Sequence, residues 1–233
     1  MGVRKVGARR VGRLPTDIAG CVFWINAQRL PAGAVASWTD LASGNTPVQA
    51  TGANQPVAGT SQFGGRMSVL FDGSNDFLAS PAVATTVTDN FCIGFVAQSV
   101  GTTAARLPLF NGVGSTDGWG VAISSDTGKL GLLRGGIAWS SSEISTTNRP
   151  MLVIMRRTAG VYSLRWNGSE IPSWPLAGGA PNAPATSVSV GRSYASDHWN
   201  GYLAEGFIFN AAVSDADVKQ LETNLLTKWG LPY

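Results

Sequence analysis

The sequence predicts an all-β fold: a two-sheet antiparallel jelly-roll sandwich with one C-terminal α-helix and an extended N-terminal arm. Three observations predict it. Strand-like apolar runs recur at roughly ten-residue spacing, the rhythm of a sandwich rather than of parallel βαβ units. Glycine (29) and proline (12) are plentiful and only 13% of residues are charged, which suits short strands joined by tight turns. Only one segment, beyond residue 213, combines a helix start, an apolar stripe and a helix stop. A chain of 233 residues can bury a substantial core as one domain, so residues 18–233 read as a single body and residues 1–17 as the arm.

Gly20 to Ala27 opens the body as a strand, and Trp38 to Asn45 reads as a short strand or bend ending in a Gly-Asn turn. Met67 to Asp72 and Asp76 to Ala79 flank the turn Asp72-Gly73-Ser74-Asn75. Phe91 to Ser99, Leu107 to Asn111, Gly118 to Ser124 and Leu130 to Arg134 continue the series. Met151 to Arg157 and Tyr162 to Trp166 meet through a turn at Ala159-Gly160, and Ser187 to Arg192 precedes the last strand.

That last strand, Asn200 to Asn210, alternates with period two: Tyr202, Ala204, Gly206 and Ile208 on one face, Leu203, Glu205, Phe207 and Phe209 on the other. A helix from Asp215 to Trp229 follows. Ser214 is a suitable N-cap, Asp217 places a carboxylate in the first turn, and Val218, Leu221, Leu225 and Leu226 form an apolar stripe. Lys228 sits in the last turn and Gly230 can take the left-handed C-terminal position.

Cys21 and Cys92 both lie in apolar strand-like runs and read as buried thiols rather than a disulfide framework, which fits assembly in a reducing compartment. No apolar run is long enough to span a bilayer, and no signal-peptide core follows the basic start, so no membrane association and no export by that route are expected. Charge is concentrated in the arm. Arg4, Lys5, Arg9, Arg10 and Arg13 precede the first acid, Asp17, while the remaining chain carries 12 basic against 14 acidic residues. A glycine-interrupted basic segment cannot bury enough apolar surface to fold by itself, and the simplest expectation is that another subunit holds it.

Five pieces of sequence together carry a family resemblance. They are Val22-Phe23-Trp24-Ile25-Asn26-Ala27, Trp38-Thr39-Asp40-Leu41-Ala42-Ser43-Gly44-Asn45, Phe71-Asp72-Gly73-Ser74-Asn75-Asp76-Phe77-Leu78, Val190-Gly191-Arg192, and the closing Asn200-to-Asp217 segment with its helix. In this order they resemble the concanavalin A-like lectin/glucanase superfamily, in particular its laminin-G-like branch. The resemblance implies two curved antiparallel sheets packed face to face, with the first and last strands neighbours. It leaves function open, because such domains serve as lectins, enzyme appendages, glycosidases and virus-particle modules.

No catalytic residues are assigned. Glycosidases on this fold pair carboxylates along one strand, whereas Glu143, Glu170, Glu205 and Glu222 are scattered. Glu205 alone lies in a confident strand, without a second acid, and reads as an outer-face residue or a partner of an arginine such as Arg192. The single histidine, His198, reads as a solvated loop residue, and neither a zinc cluster nor a nucleophile–base arrangement is present. No cofactor is expected. Calcium is the one metal weighed, on Asp72, Asn75 and Asp76, and Asp and Asn at such a turn are better explained by hydrogen bonds to their own backbone.

Sugar binding needs an exposed aromatic ring with polar groups beside it. Trp24, Trp38, Trp166 and Trp229 read as core; Trp119, Trp139, Trp174 and Trp199 lie in or beside turn-rich stretches and are the candidates, Trp174 first. For the arm, contact with an acidic protein surface ranks above nucleic acid, since no aromatic is interleaved to stack on bases. The sequence thus suggests a non-enzymatic virion structural protein, a bacteriophage capsid decoration or tail component assembled in the host cytoplasm. It would join other virion subunits through Arg4, Lys5, Arg9, Arg10 and Arg13. The alternative is a lectin-like module recognising a surface glycan.

Overall fold

Apolar residues at alternating positions fold into two antiparallel sheets, and the C-terminal helix lies against the outer face of the larger one. The computed structural model describes residues 12–80, 89–101, 107–112, 116–124, 127–174, 176–184, 187–193 and 197–232. The strands are β1 (Cys21–Asn26), β2 (Gly33–Ala34), β3 (Val57–Phe63), β4 (Arg66–Asp72), β5 (Leu78–Ala79), β6 (Phe91–Ser99), β7 (Leu109–Asn111) and β8 (Trp119–Ile123). They continue as β9 (Lys129–Arg134), β10 (Ala138–Ser145), β11 (Pro150–Thr158), β12 (Val161–Trp166), β13 (Ser169–Glu170), β14 (Leu176–Ala177), β15 (Val188–Val190) and β16 (Asn200–Phe209), before helix α1 (Asp215–Trp229).

The larger sheet runs β13-β12-β11-β6-β16-β4-β3-β2, and the smaller one β10-β9-β8-β7-β15-β5. β16 is the axis of the larger sheet. One of its edges pairs with β6; the other is shared, Asn200–Leu203 pairing with β4 and Glu205–Phe209 with β1. The first and last strands are therefore neighbours, as the resemblance implies.

Two apolar layers result. Between the sheets lie Phe23, Ile25, Trp38, Phe71, Phe91, Phe95, Trp119 and Ile208, with Phe91 stacked on Trp119 at 3.9 Å between ring centroids. Outside the larger sheet, Trp24, Phe63, Phe207 and Phe209 meet Val218, Leu221, Leu225, Leu226 and Trp229 of α1. Burying each of these helix side chains contributes about 1.5–3 kcal/mol, which is what holds α1 to the sheet. Strands covered on both faces lose polar alternation, and β6 is buried along nearly its whole length.

The helix has the bounds and caps the sequence predicts. Ser214 Oγ accepts from the Asp217 N–H, and Gly230 takes φ 63°. The Ala159-Gly160 turn joins β11 to β12 with φ of 49° and 82°, both left-handed, as a two-residue hairpin requires. Strict alternation along β16 does not hold. A bulge between Leu203 and Glu205 puts Leu203 in the inter-sheet core while Glu205, Phe207 and Phe209 face the helix. β3 and β10 were not anticipated as strands, because VAGTSQF and AWSSSEIS lack an apolar run.

The tryptophans also depart from expectation. Trp119, Trp174 and Trp199 are buried in the inter-sheet core, not exposed. The backbone of Trp174 does lie in a turn, its N–H donating to the Ile171 carbonyl, but the side chain turns inward from it. Trp24, Trp38 and Trp229 are core as expected, whereas Trp166 is half-buried beneath the Arg149 guanidinium at 4.7 Å.

Candidate functional site

Of the four tryptophans proposed as a sugar platform, Trp139 alone is exposed, at 40%. It lies on β10, an edge strand of the smaller sheet, where Trp139, Ser141, Glu143 and Ser145 face solvent and Ser142 and Ile144 face inward. Cross-strand pairing sets Trp139 against Leu133 and Ser141 against Gly131. The indole reaches over Gly131: a Cβ there would stand 2.4 Å from Trp139 Cζ2 and 2.6 Å from the Ser140 carbonyl oxygen. Glycine at 131 is therefore what lets the ring lie down on the sheet.

Polar groups share the ring's face of the sheet. Ser173 Oγ donates to Glu143, and that bond, helped by backbone hydrogen bonds and least by the field of Lys129, holds the Glu143 carboxyl below the ordinary glutamate value. Lys129 pairs in register with Ser145, so the solvent-facing side of the β9–β10 pair carries one exposed indole together with serine hydroxyls, a carboxylate and an ammonium. Sugars are gripped by this combination, since their C–H faces stack on aromatics while their hydroxyls exchange hydrogen bonds with charged and polar neighbours. Gly131 within Leu130-Gly131-Leu132 was the available sequence signal, because an interior strand glycine marks a close approach.

The Asp72 turn is occupied by its own backbone. Asp72 Oδ1 accepts from the N–H groups of Ser74, Asn75 and Asp76, and Asp76 Oδ2 accepts from the Asp72 N–H. Burial pushes the Asp72 carboxyl up, but the three bonds together outweigh it and hold it below the ordinary value. Among the described residues no group of three or more His, Cys, Asp or Glu side chains could hold a metal ion.

Glu205 is neither on an outer face nor paired with Arg192. It is 1% exposed and accepts from Trp24 Nε1 (2.7 Å), Trp229 Nε1 (2.6 Å) and Lys228 Nζ (2.6 Å), tying β1, β16 and α1 together. Arg192 instead stacks on Phe77. His198 is buried rather than solvated, its imidazole held below the ordinary histidine value by burial and then by Arg192.

Arg4, Lys5, Arg9 and Arg10 lie outside the described residues. Arg13 is engaged within the chain: it pairs with Asp217 at the start of α1, and its carbonyl accepts from Asn224 Nδ2 at 2.9 Å. The segment from Gly12 to Pro15 lines, with Glu205, Asn224 and Lys228, a cavity of about 360 Å³ against the helix.

No family model and no curated protein matches the sequence. Among solved structures, the chain is similar to Trypanosoma rangeli sialidase (TM-score 0.65, 13% identity), over 94% of this chain and 34% of that one. It is also similar to the botulinum neurotoxin serotype D binding domain, with a TM-score of 0.62 and 14% identity over 92% of this chain and 54% of that one. The chain therefore spans about a third of the sialidase and about half of the toxin domain. At this identity the likeness is one of fold, that of a two-sheet β-sandwich.

Proposed function

We propose that the chain is a non-catalytic, carbohydrate-binding module of lectin-like fold that contacts glycan through Trp139, with Ser141, Glu143 and Lys129 bonding its hydroxyls. The exposed indole laid over Gly131, with polar groups on the same face, carries this reading. Similarity in fold to a sialidase solved in complex with sialic acid and to a toxin's receptor binding domain supports it. The virion reading finds no support in these neighbours, and of the five basic arm residues the one described, Arg13, pairs with this chain's own helix. A glycan array with the wild type and Trp139→Ala tests the proposal. The expected result is a selective glycan signal that Trp139→Ala weakens at least tenfold and Gly131→Ala, which lifts the ring, also weakens. An array without selective binding, or binding indifferent to Trp139→Ala, would refute it.

A further inference from the structure

At another place in the sandwich, where the chain passes from β15 to β16, a half-buried arginine has no ion-pair partner among the described residues; Arg29, Arg66 and Arg149 also have none there but are exposed. Arg192 and His198 form an isolated bridge, closed by the Ser193 N–H to the Asp197 carbonyl and the Trp199 N–H to the Gly191 carbonyl. The Arg192 guanidinium carbon lies 3.5 Å from the centroid of the Phe77 ring. The group is half-buried, yet among the described residues it has neither an ion pair nor a hydrogen-bond acceptor. Arg156, Arg157 and Arg165 are matched by Asp215, Asp89 and Glu222, and Lys228 by Glu205. Ser193, next in sequence, is 5% exposed and its Oγ has no hydrogen-bond partner.

A guanidinium half withdrawn from water without a protein acceptor costs free energy, and the fold retains it here. Stacking on Phe77 occupies one face of the guanidinium and leaves its in-plane N–H donors available. We infer that Arg192, held flat by Phe77, anchors a binding site for a carboxylate group. A planar carboxylate matches the guanidinium edge with two parallel N–H···O bonds. A phosphate or sulfate fits less well: it asks for more than one cation, and the nearby Asp72 and Asp197, whose fields act on His198, oppose extra negative charge. The inference is independent of the Trp139 surface.

The test follows the Arg192 Nε–H resonance of the whole chain by nitrogen–proton NMR during titration with sodium acetate and, at matched ionic strength, with sodium chloride or sodium sulfate. Acetate is expected to give a saturable shift that chloride and sulfate do not. Arg192→Lys keeps the charge but loses the fork, and should weaken acetate binding about tenfold, read from Phe77 and His198 resonances. Phe77→Leu, which keeps the fork but frees it to move, should weaken it by less. Trp139→Ala should leave it unchanged. Glucuronate, an acidic sugar, should bind at least as well as acetate. No saturable shift, an equal response to chloride or sulfate, or acetate affinity untouched in a folded Arg192→Lys variant would each overturn the proposal.

Discussion

Glu205→Ala is the sharpest test of how this fold is held together. The carboxylate is buried between β16 and α1, and its two oxygens accept from two indole N–H groups and one ammonium. Removing it strands Trp24 Nε1 and Trp229 Nε1 in a closed apolar layer, at about 1–3 kcal/mol for each unsatisfied donor. Lys228 keeps 24% of its side-chain surface exposed and can turn its ammonium to water, so it adds little. The sum, about 2–6 kcal/mol, brackets the range of about 3–5 kcal/mol for breaking a buried pair from one side, and the narrower range is the expected loss. For a domain of this size each kcal/mol moves Tm by about 2–4 °C, so a fall of roughly 6–20 °C is expected. Urea and thermal unfolding followed by circular dichroism would measure it. Glu205→Gln keeps the volume but turns an amide N–H2 toward a donor, and should lie between wild type and Glu205→Ala. Adding Trp24→Phe to Glu205→Ala removes one stranded donor and should cost less than the same change in the wild type. A loss below about 1 kcal/mol for Glu205→Ala, or strict additivity in that pair, would refute the account.

Two further outcomes follow from the same packing. Burial pushes the thiols of Cys21 and Cys92 up to about 12, from an ordinary 9.0. Between those values the unfolded chain has lost protons that the folded chain retains, so the stabilisation is complete below about pH 9 and falls as pH rises toward 12. Urea midpoints in reductant should decline over that window, less steeply in Cys92→Ala, and a parallel decline in wild type and variant would count against burial as the cause. Deleting residues 1–16 removes the Arg13–Asp217 pair and the Asn224 bond to the Arg13 carbonyl, at a combined cost of about 1–2 kcal/mol. Deleting residues 1–11 removes neither, so equal urea midpoints for the two truncations would show that these contacts contribute nothing.

Elements whose sequence carries two agreeing signals were legible. Helix α1 combines a cap, a stripe and a terminal glycine, and the β11–β12 hairpin combines two apolar runs with an Ala-Gly turn, so local preference and tertiary packing coincide there. β3 and β10 were not legible because each lies toward an edge and exposes much of its length, so packing does not demand an apolar pattern. The bulge in β16 was hidden for a different reason. Ala204 fits either face, so period two reads smoothly through a position where the register shifts.

The candidate site shows a deeper limit of reading exposure from sequence. Turn-forming neighbours report where the backbone runs, and a tryptophan side chain is long enough to leave the surface from there. Trp174 and Trp199 have backbones in turn-rich segments and rings in the core. Trp139 is the reverse case, a residue of the edge strand β10 whose ring stays outside and lies over Gly131, diagonal to it on β9. What separates the two is the small residue beneath the ring, not the loop character around it. A tryptophan on a polar edge strand, diagonal to a strand glycine, is thus a better sign of a surface platform than a tryptophan in a turn. The same holds for charge: five cations near the N-terminus suggest a partner, yet the described Arg13 pairs with Asp217 of this chain. Arg192, half-buried and with no ion-pair partner among the described residues, carries the stronger claim to an external ligand.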